Sequence, residues 1–159
     1  MEVVLEDLRD LKRDRDRKKC RVIKDELEVY GANLRLIDCY KKAIKDKRDR
    51  INGIRSGLGN TDPSKGGGCC QEDTIIKVLD EVKDLELAIR ETWEELSPIR
   101  QAIKSLADPK AKAIVMRVWV ARTDSMRELA REYGISHTMI WKKSDVALLN
   151  LYKVLRSKD

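Results

Sequence analysis

The residues with the most chemical content lie together near the end of the chain. From Asp124 the sequence reads Asp-Ser-Met-Arg-Glu-Leu-Ala-Arg-Glu-Tyr-Gly-Ile-Ser-His-Thr-Met-Ile-Trp-Lys-Lys-Ser-Asp, closing at Asp145. Arg127, Arg131, Lys142 and Lys143 are cations, and Ser136, His137 and Thr138 carry small hydrogen-bonding groups. Side chains of these types can hold phosphates and read base edges. Catalysis is the competing use. His137 is the only histidine, and no Cys, Ser or carboxylate accompanies it at a recognised catalytic spacing, so the set points to binding and not to an enzyme.

These side chains need two helices set at a fixed angle, and the local grammar predicts them. Ser125 with Glu128 three residues on forms a capping box that starts a helix. Leu129 and Ala130 give that helix an inner face, and Ala130 is small enough for a second helix to cross closely. Gly134 supplies a positive-φ turn, Ile135 plugs the core, and Ser136 caps the next helix. Ile140 and Val146 to Leu149 are expected to continue inward. This order is that of a helix-turn-helix, whose second helix enters the DNA major groove. His137, Thr138, Trp141 and Lys142 are then the base-edge candidates, with Lys143 on or near the same exposed face. Ser136, Arg127 and Arg131 are placed for backbone phosphates. Taken singly, each residue has a plainer reading, with Met139 and Trp141 as core and the lysines as solubilising charges. Taken with the caps and the local charge, they favour double-stranded DNA.

Further elements must carry this motif. Pro109 to Thr123 reads as a supporting helix, with Ile114, Val118 and Ala121 on one face and Met116, Trp119 and Val120 on another. In 72–108, Ile75, Val82, Ile89, Leu96 and Ile103 recur every seven residues. Val78, Leu85, Thr92, Ile99 and Leu106 each come three residues later. Such a stripe faces a partner helix, either in a second copy of the chain, giving a homodimer, or in an intramolecular hairpin. Pro98 predicts a break, with Ser97 as cap and Pro98 opening a fresh helix. In 1–56, Ile23, Tyr30, Ile37, Ile44 and Ile51 keep the same spacing, and Gly31 either interrupts the run or only weakens it. Upstream, Lys12 to Arg21 is a mixed-sign run read as a solvated helix face or, alternatively, as a face for phosphates. Residues 57–71 hold five of the eight glycines together with Pro63, which predicts a linker. No segment alternates with period two, so the fold class is all-α.

The charge balance fits this division. The 159 residues carry 34 bases and 28 acids, a net charge of +6. The N-terminal helical module has 17 bases against 12 acids, the linker one of each, the heptad segment 5 against 10, and the segment 109–159 has 11 against 5. The basic last segment suits a polyanion, and the acidic middle, which phosphates would repel, suits protein contacts. The charged fraction of 39% with only 4% aromatics favours solvated helices. Cys20 and Cys39 are solitary and Cys69 and Cys70 are adjacent, so neither a disulfide framework nor a metal site is expected, and no cofactor is implied. Glu2 and Glu6 come after Met1 and no apolar run is long enough for a signal peptide or a membrane span, which predicts a cytoplasmic chain.

At these residues a family resemblance enters. Residues 109–156, with an apolar helix before Ser-x-x-Glu-Leu-Ala, then Gly-Ile-Ser, Ile140 and a basic, leucine-containing tail, resemble region 4 of the sigma-70 family. Placed behind charged helices and a Gly/Pro-rich linker, that end makes the chain similar to phage and prophage late-gene regulators of the RinA and ArpU type. The resemblance implies a transcriptional activator in the bacterial host cytoplasm that binds a promoter-proximal site and contacts host RNA polymerase. Where region 4 often has Arg, Glu and Gln at the groove, this chain has His137, Thr138 and Trp141, so no base preference carries over. A small terminase subunit for DNA packaging is the alternative, although there the DNA-binding unit usually lies toward the N-terminus. A purely structural coiled-coil adaptor would leave the caps and the basic tail without a purpose.

Overall fold

The computed structural model describes residues 2–57 and 68–157. Among these, six α-helices succeed one another: α1 Glu2–Gly57, α2 Gly68–Glu95, α3 Ser97–Ser105, α4 Pro109–Ile114, α5 Met126–Tyr133 and α6 His137–Arg156. Val115–Val120 continues α4 as a π-helix. No strand occurs among the described residues, and the chain is all-α, as its periodicities predict. Most of the linker expected over 57–71 lies outside the described residues, with Gly57 closing α1 and Gly68 opening α2.

Contacts gather the helices into two compact units, Asn33–Glu95 and a second one made of the residues up to Ala32 with those from Leu96 onward. α1 contributes to both, so the units cut across the segments that charge alone distinguishes.

In the Asn33–Glu95 unit the two seven-residue repeats meet. Ile37, Ile44 and Ile51 of α1 and Val78 and Val82 of α2 are buried, and Lys47–Glu81 and Arg48–Glu86 ion pairs join the two helices. The hairpin therefore buries these positions within one chain. The Lys47–Glu81 pair is half-buried and the Arg48–Glu86 pair exposed; pairs so open to water are worth only about 0–1 kcal/mol each, so the apolar stripe sets the pairing.

In the other unit, Cys20, Ile23, Leu27 and Tyr30 of α1 are buried, as are Ala102 and Ile103 of α3. α6 packs against α3, α4 and α5 and turns Ile140, Ser144, Ala147, Leu148 and Leu151 inward. The break expected near Pro98 is present but lies one residue earlier: Leu96 is the N-cap and Pro98 falls in the first turn of α3. Leu96 stays near helical geometry (φ −80, ψ −9) and is buried, so only the ladder is interrupted, where Pro98 lacks an N–H.

The supporting helix departs further from its expected form. Ala121 N–H donates to Met116 O at 2.8 Å, a bond spanning five residues, so this turn is wider than an α-turn. Ala121, expected on one face with Ile114 and Val118, is exposed, whereas Ile114 and, from the second face, Val120 are buried, and Val115 is buried beside them. The widened turn also brings the carbonyl of Val120 against α1 at Gly31, where a Cβ would overlap the Val120 oxygen. Gly31 therefore neither breaks α1 nor merely weakens it, since it makes room for a neighbouring backbone.

Replacing Gly31 by Ala should lower stability by about 1–3 kcal/mol, because the clash is with main chain and cannot be relieved by a rotamer change. Gly53→Ala, with nothing within 4 Å of its Cβ, should instead raise stability by about 0.5–1 kcal/mol through helix propensity. Urea midpoints of the two variants should move in opposite directions, and a common shift would remove the close-approach explanation.

Candidate nucleic-acid interface

The α5–α6 turn is built as the sequence prescribes. Ser125 Oγ accepts from Glu128 N–H at 3.3 Å and Glu128 Oε2 accepts from Ser125 N–H at 2.6 Å, completing the capping box. Hydrogen bonds from Ser125, its backbone N–H foremost and its side chain next, hold the Glu128 carboxyl below its ordinary range. Gly134 takes φ +62, and Ile135 N–H returns to Ala130 O at 3.0 Å. Ser136 Oγ accepts from Met139 N–H at 3.2 Å, so α6 begins at His137. Ile114, Met126, Leu129, Ala130 and Ile140 form the core beneath, with Val118, Trp119, Tyr133 and Ile135 packed around it.

Ion pairs fix the motif to its support. Arg117 of the π-turn binds Asp124 at 2.7 Å and Glu132 of α5 at 2.9 Å, which ties the loop before α5 to that helix. Hydrogen bonds from the two carboxylates, Asp124 first, push the Arg117 guanidinium far above its usual value, and the Arg117 bond in turn lowers the Asp124 carboxyl. Asp108 caps α4 by accepting from Lys110 N–H at 2.9 Å and also holds Lys143 Nζ at 3.0 Å. Lys143 is expected on the exposed face, but the structure turns it aside: it is half-buried and paired with a residue outside the motif. Its Asp108 partner is held below the usual carboxyl range mainly by that hydrogen bond.

The remaining candidates fall into two groups. Arg127, Arg131 and His137 line an open cleft of about 530 Å³ at the turn, with Ala130, Gly134 and Ile135 as its floor. The exposed side of α6 carries Thr138 and Lys142, four residues apart and so neighbours on one face. Trp141 belongs to neither group. Its Nε1 donates to His137 Nε2 at 3.0 Å, and its ring meets Trp119 edge-on at 6.3 Å. It is 37% exposed, a flank residue and neither a core plug nor a fully free contact. Trp119 Nε1 donates to the buried Ser144 Oγ at 3.0 Å, and Lys24 of α1 lies 4.4 Å from the Trp119 ring centre.

Sequence reasoning missed two residues of the exposed face. Met139 is 49% exposed and Val146 is 58% exposed, whereas Met139 has a plain reading as core and Val146 is expected to turn inward. The inward stripe of α6 runs through Ser144, a small hydroxyl that sequence patterning scores as polar. Extending the stripe by steps of three and four from Ile140 would have passed through Ser144, Ala147, Leu148 and Leu151 and left Val146 outside.

Asp108, Asp124 and Glu128 all titrate lower folded than unfolded. Their stabilisation is therefore complete above the ordinary carboxyl range and is lost as pH falls through the lowered values. The thermal midpoint should drop as pH is taken below about 4. Asp124→Asn should flatten that profile, and an unchanged acid limb in the variant would show that the Arg117 pairing does not contribute to it.

No protein-family model matches the chain, and comparison with curated proteins and with solved structures yields no significant match, so the reading of this interface rests on its own geometry.

Proposed function

We propose that the protein is a sequence-specific DNA-binding transcriptional regulator that docks α6 in the major groove. The observation that carries this reading is the α5–α6 pair itself. A capping box, a left-handed Gly134 and a Ser136 cap lock a short helix against a longer one, over a closed core, with a polar and basic face outward. Thr138, Met139, Lys142 and Val146 are the groove-facing set. Thr138 offers a hydroxyl and a methyl, Lys142 a donor for guanine acceptors, and Met139 and Val146 apolar surface for thymine methyls. Arg127 and Arg131 at the turn cleft take backbone phosphates, assisted by the Ser136 hydroxyl, whose oxygen is engaged with Met139 N–H while its hydrogen remains available to an acceptor. His137 and Trp141 brace the start of α6 on the flank. Lys143, held by Asp108, contributes through that brace.

The resemblance to sigma region 4 extends the proposal to contact with RNA polymerase at a promoter-proximal site, as an activator of phage late genes. The acidic α2 is the element suited to protein contact, because its charge disfavours DNA.

Selection from a random duplex pool should recover a preferred site. Against that site Thr138→Ala should cost about 1–3 kcal/mol of discrimination while leaving binding to random duplex nearly unchanged. Arg127→Gln with Arg131→Gln should weaken binding to both duplexes and reduce the salt slope by roughly two units. Parent binding that stays flat between low and moderate salt, or a Thr138 variant that discriminates as well as the parent, would sink the assignment.

A further inference from the structure

The basic run Lys12 to Arg21 has two readings in the sequence, a solvated face or a face for phosphates, and its position in the fold separates them. α1 packs beside α6 over this stretch. Cys20 Sγ lies 3.9 Å from the Asp145 carbonyl, and Lys24 Nζ reaches the Trp119 and Trp141 rings. Between the two helices runs an open cleft of about 670 Å³. Arg13, Arg17, Lys18, Arg21 and Lys24 line it from α1, and Asp145 and Leu149 line it from α6. Among the described residues Asp16 is the one other acid on its wall, and it is shared with Lys19 at 3.9 Å.

Arg13, Arg17, Arg21 and Lys24 succeed one another by four, four and three residues, so they form a single row along α1. At 1.5 Å per residue, successive arginines stand about 6 Å apart and the row spans roughly 16 Å. Asp145 and Leu149 continue the side of α6 that begins with Thr138 and Lys142, so the row borders the proposed groove-facing set. Among the described residues, the carboxylates paired with the row's arginines are local and loosely held, Asp10 at 3.6 Å from Arg13 and Asp14 at 3.6 Å from Arg17, both exposed. Such pairs exchange readily for a phosphate, because each is worth little in water. Arg21 has no ion pair among the described residues.

We propose that this α1 row is a second phosphate-binding surface, which grips a DNA strand flanking the groove that α6 enters. The proposal rests on the helix-turn-helix reading above and assigns part of the DNA affinity to a segment more than a hundred residues away in sequence. The chemistry is that of a regular, linear polyanion: spaced guanidiniums along a rigid helix match spaced phosphates along one strand, and they carry no base information.

The test compares two charge-matched variants of the full chain on a random-sequence duplex of about two helical turns. Arg17→Gln with Arg21→Gln should keep the helical signal and thermal midpoint, lose roughly two units of salt slope, and keep the parent's preference for its selected site. Lys12→Gln with Arg15→Gln removes the same charge from the same stretch at positions that do not line the cleft, and its slope should stay at the parent value. An unchanged slope in the first variant, or an equal loss in both, overturns the cleft assignment while leaving α6 as the reader. If single-stranded RNA of equal length displaces the duplex from the parent at equal concentration, the duplex-strand assignment is overturned. A parent that binds no duplex at all removes the helix-turn-helix reading itself, which the Arg17 and Arg21 comparison cannot do.

Discussion

The carbonyl of Val120 occupies the space that a side chain at position 31 would need, and much of the arrangement around α6 depends on that approach. It allows α1 to lie against the end of the π-turn, with Arg122 beside Glu28 at 2.8 Å, and it lets Ile23 and Leu27 close over the core. From the same turn Trp119 reaches the buried Ser144 of α6. One backbone contact thus registers α1, the supporting helix and the helix that carries Thr138 and Lys142. A larger residue at 31 would have to displace main chain, which close-packed interiors resist.

The cohesive part of this structure is apolar, and the charged part selects among arrangements. Ile114, Leu129, Ile140 and Leu148 are fully enclosed. The ion pairs of Arg117, Lys143 and Arg156 lie at the margins, where water screens them and each contributes little energy. Their value is geometric. Arg117 fixes the loop before α5, Lys143 fixes the start of α4 to α6, and Arg156 meets Glu26 of α1. A chain this rich in charge keeps a solvated surface and still folds about narrow apolar stripes.

The stripe of α1 was legible in the sequence, and that of α2 in part, with Val78 and Val82 buried and Ile75, Leu85 and Ile89 half-buried. Ile23, Tyr30, Ile37, Ile44 and Ile51 are all buried, as their seven-residue spacing predicts, and Ser125, Gly134 and Ser136 take the cap and turn roles that their chemistry dictates. Local rules sufficed because caps and heptads are local interactions. The reading failed where a small polar residue sits in the buried stripe, as Ser144 does in α6, where the period changed, or where the partner was distant. Ala121 was misplaced because the π-turn adds a residue to the helix, and nothing in Val-Met-Arg-Val-Trp-Val announces that. Lys143 was misplaced because Asp108, 35 residues earlier, draws it aside. The cleft between α1 and α6 was invisible for the same reason, since it pairs residues 13–24 with 145 and 149.

The π-turn can also be seen in terms of chain length. Relative to an α-helix it holds one surplus residue over the same span. Deleting any one residue between Val115 and Val120 would restore the narrower coil. The flanking segments would keep their phase, and the side chains within the turn would be spread differently around the coil. Trp119 and Val120 could then no longer serve Ser144 and Gly31 together. The joint between α1 and α6 therefore depends on a length difference of one amino acid, and a relative lacking that residue would have to hold its first helix by other means.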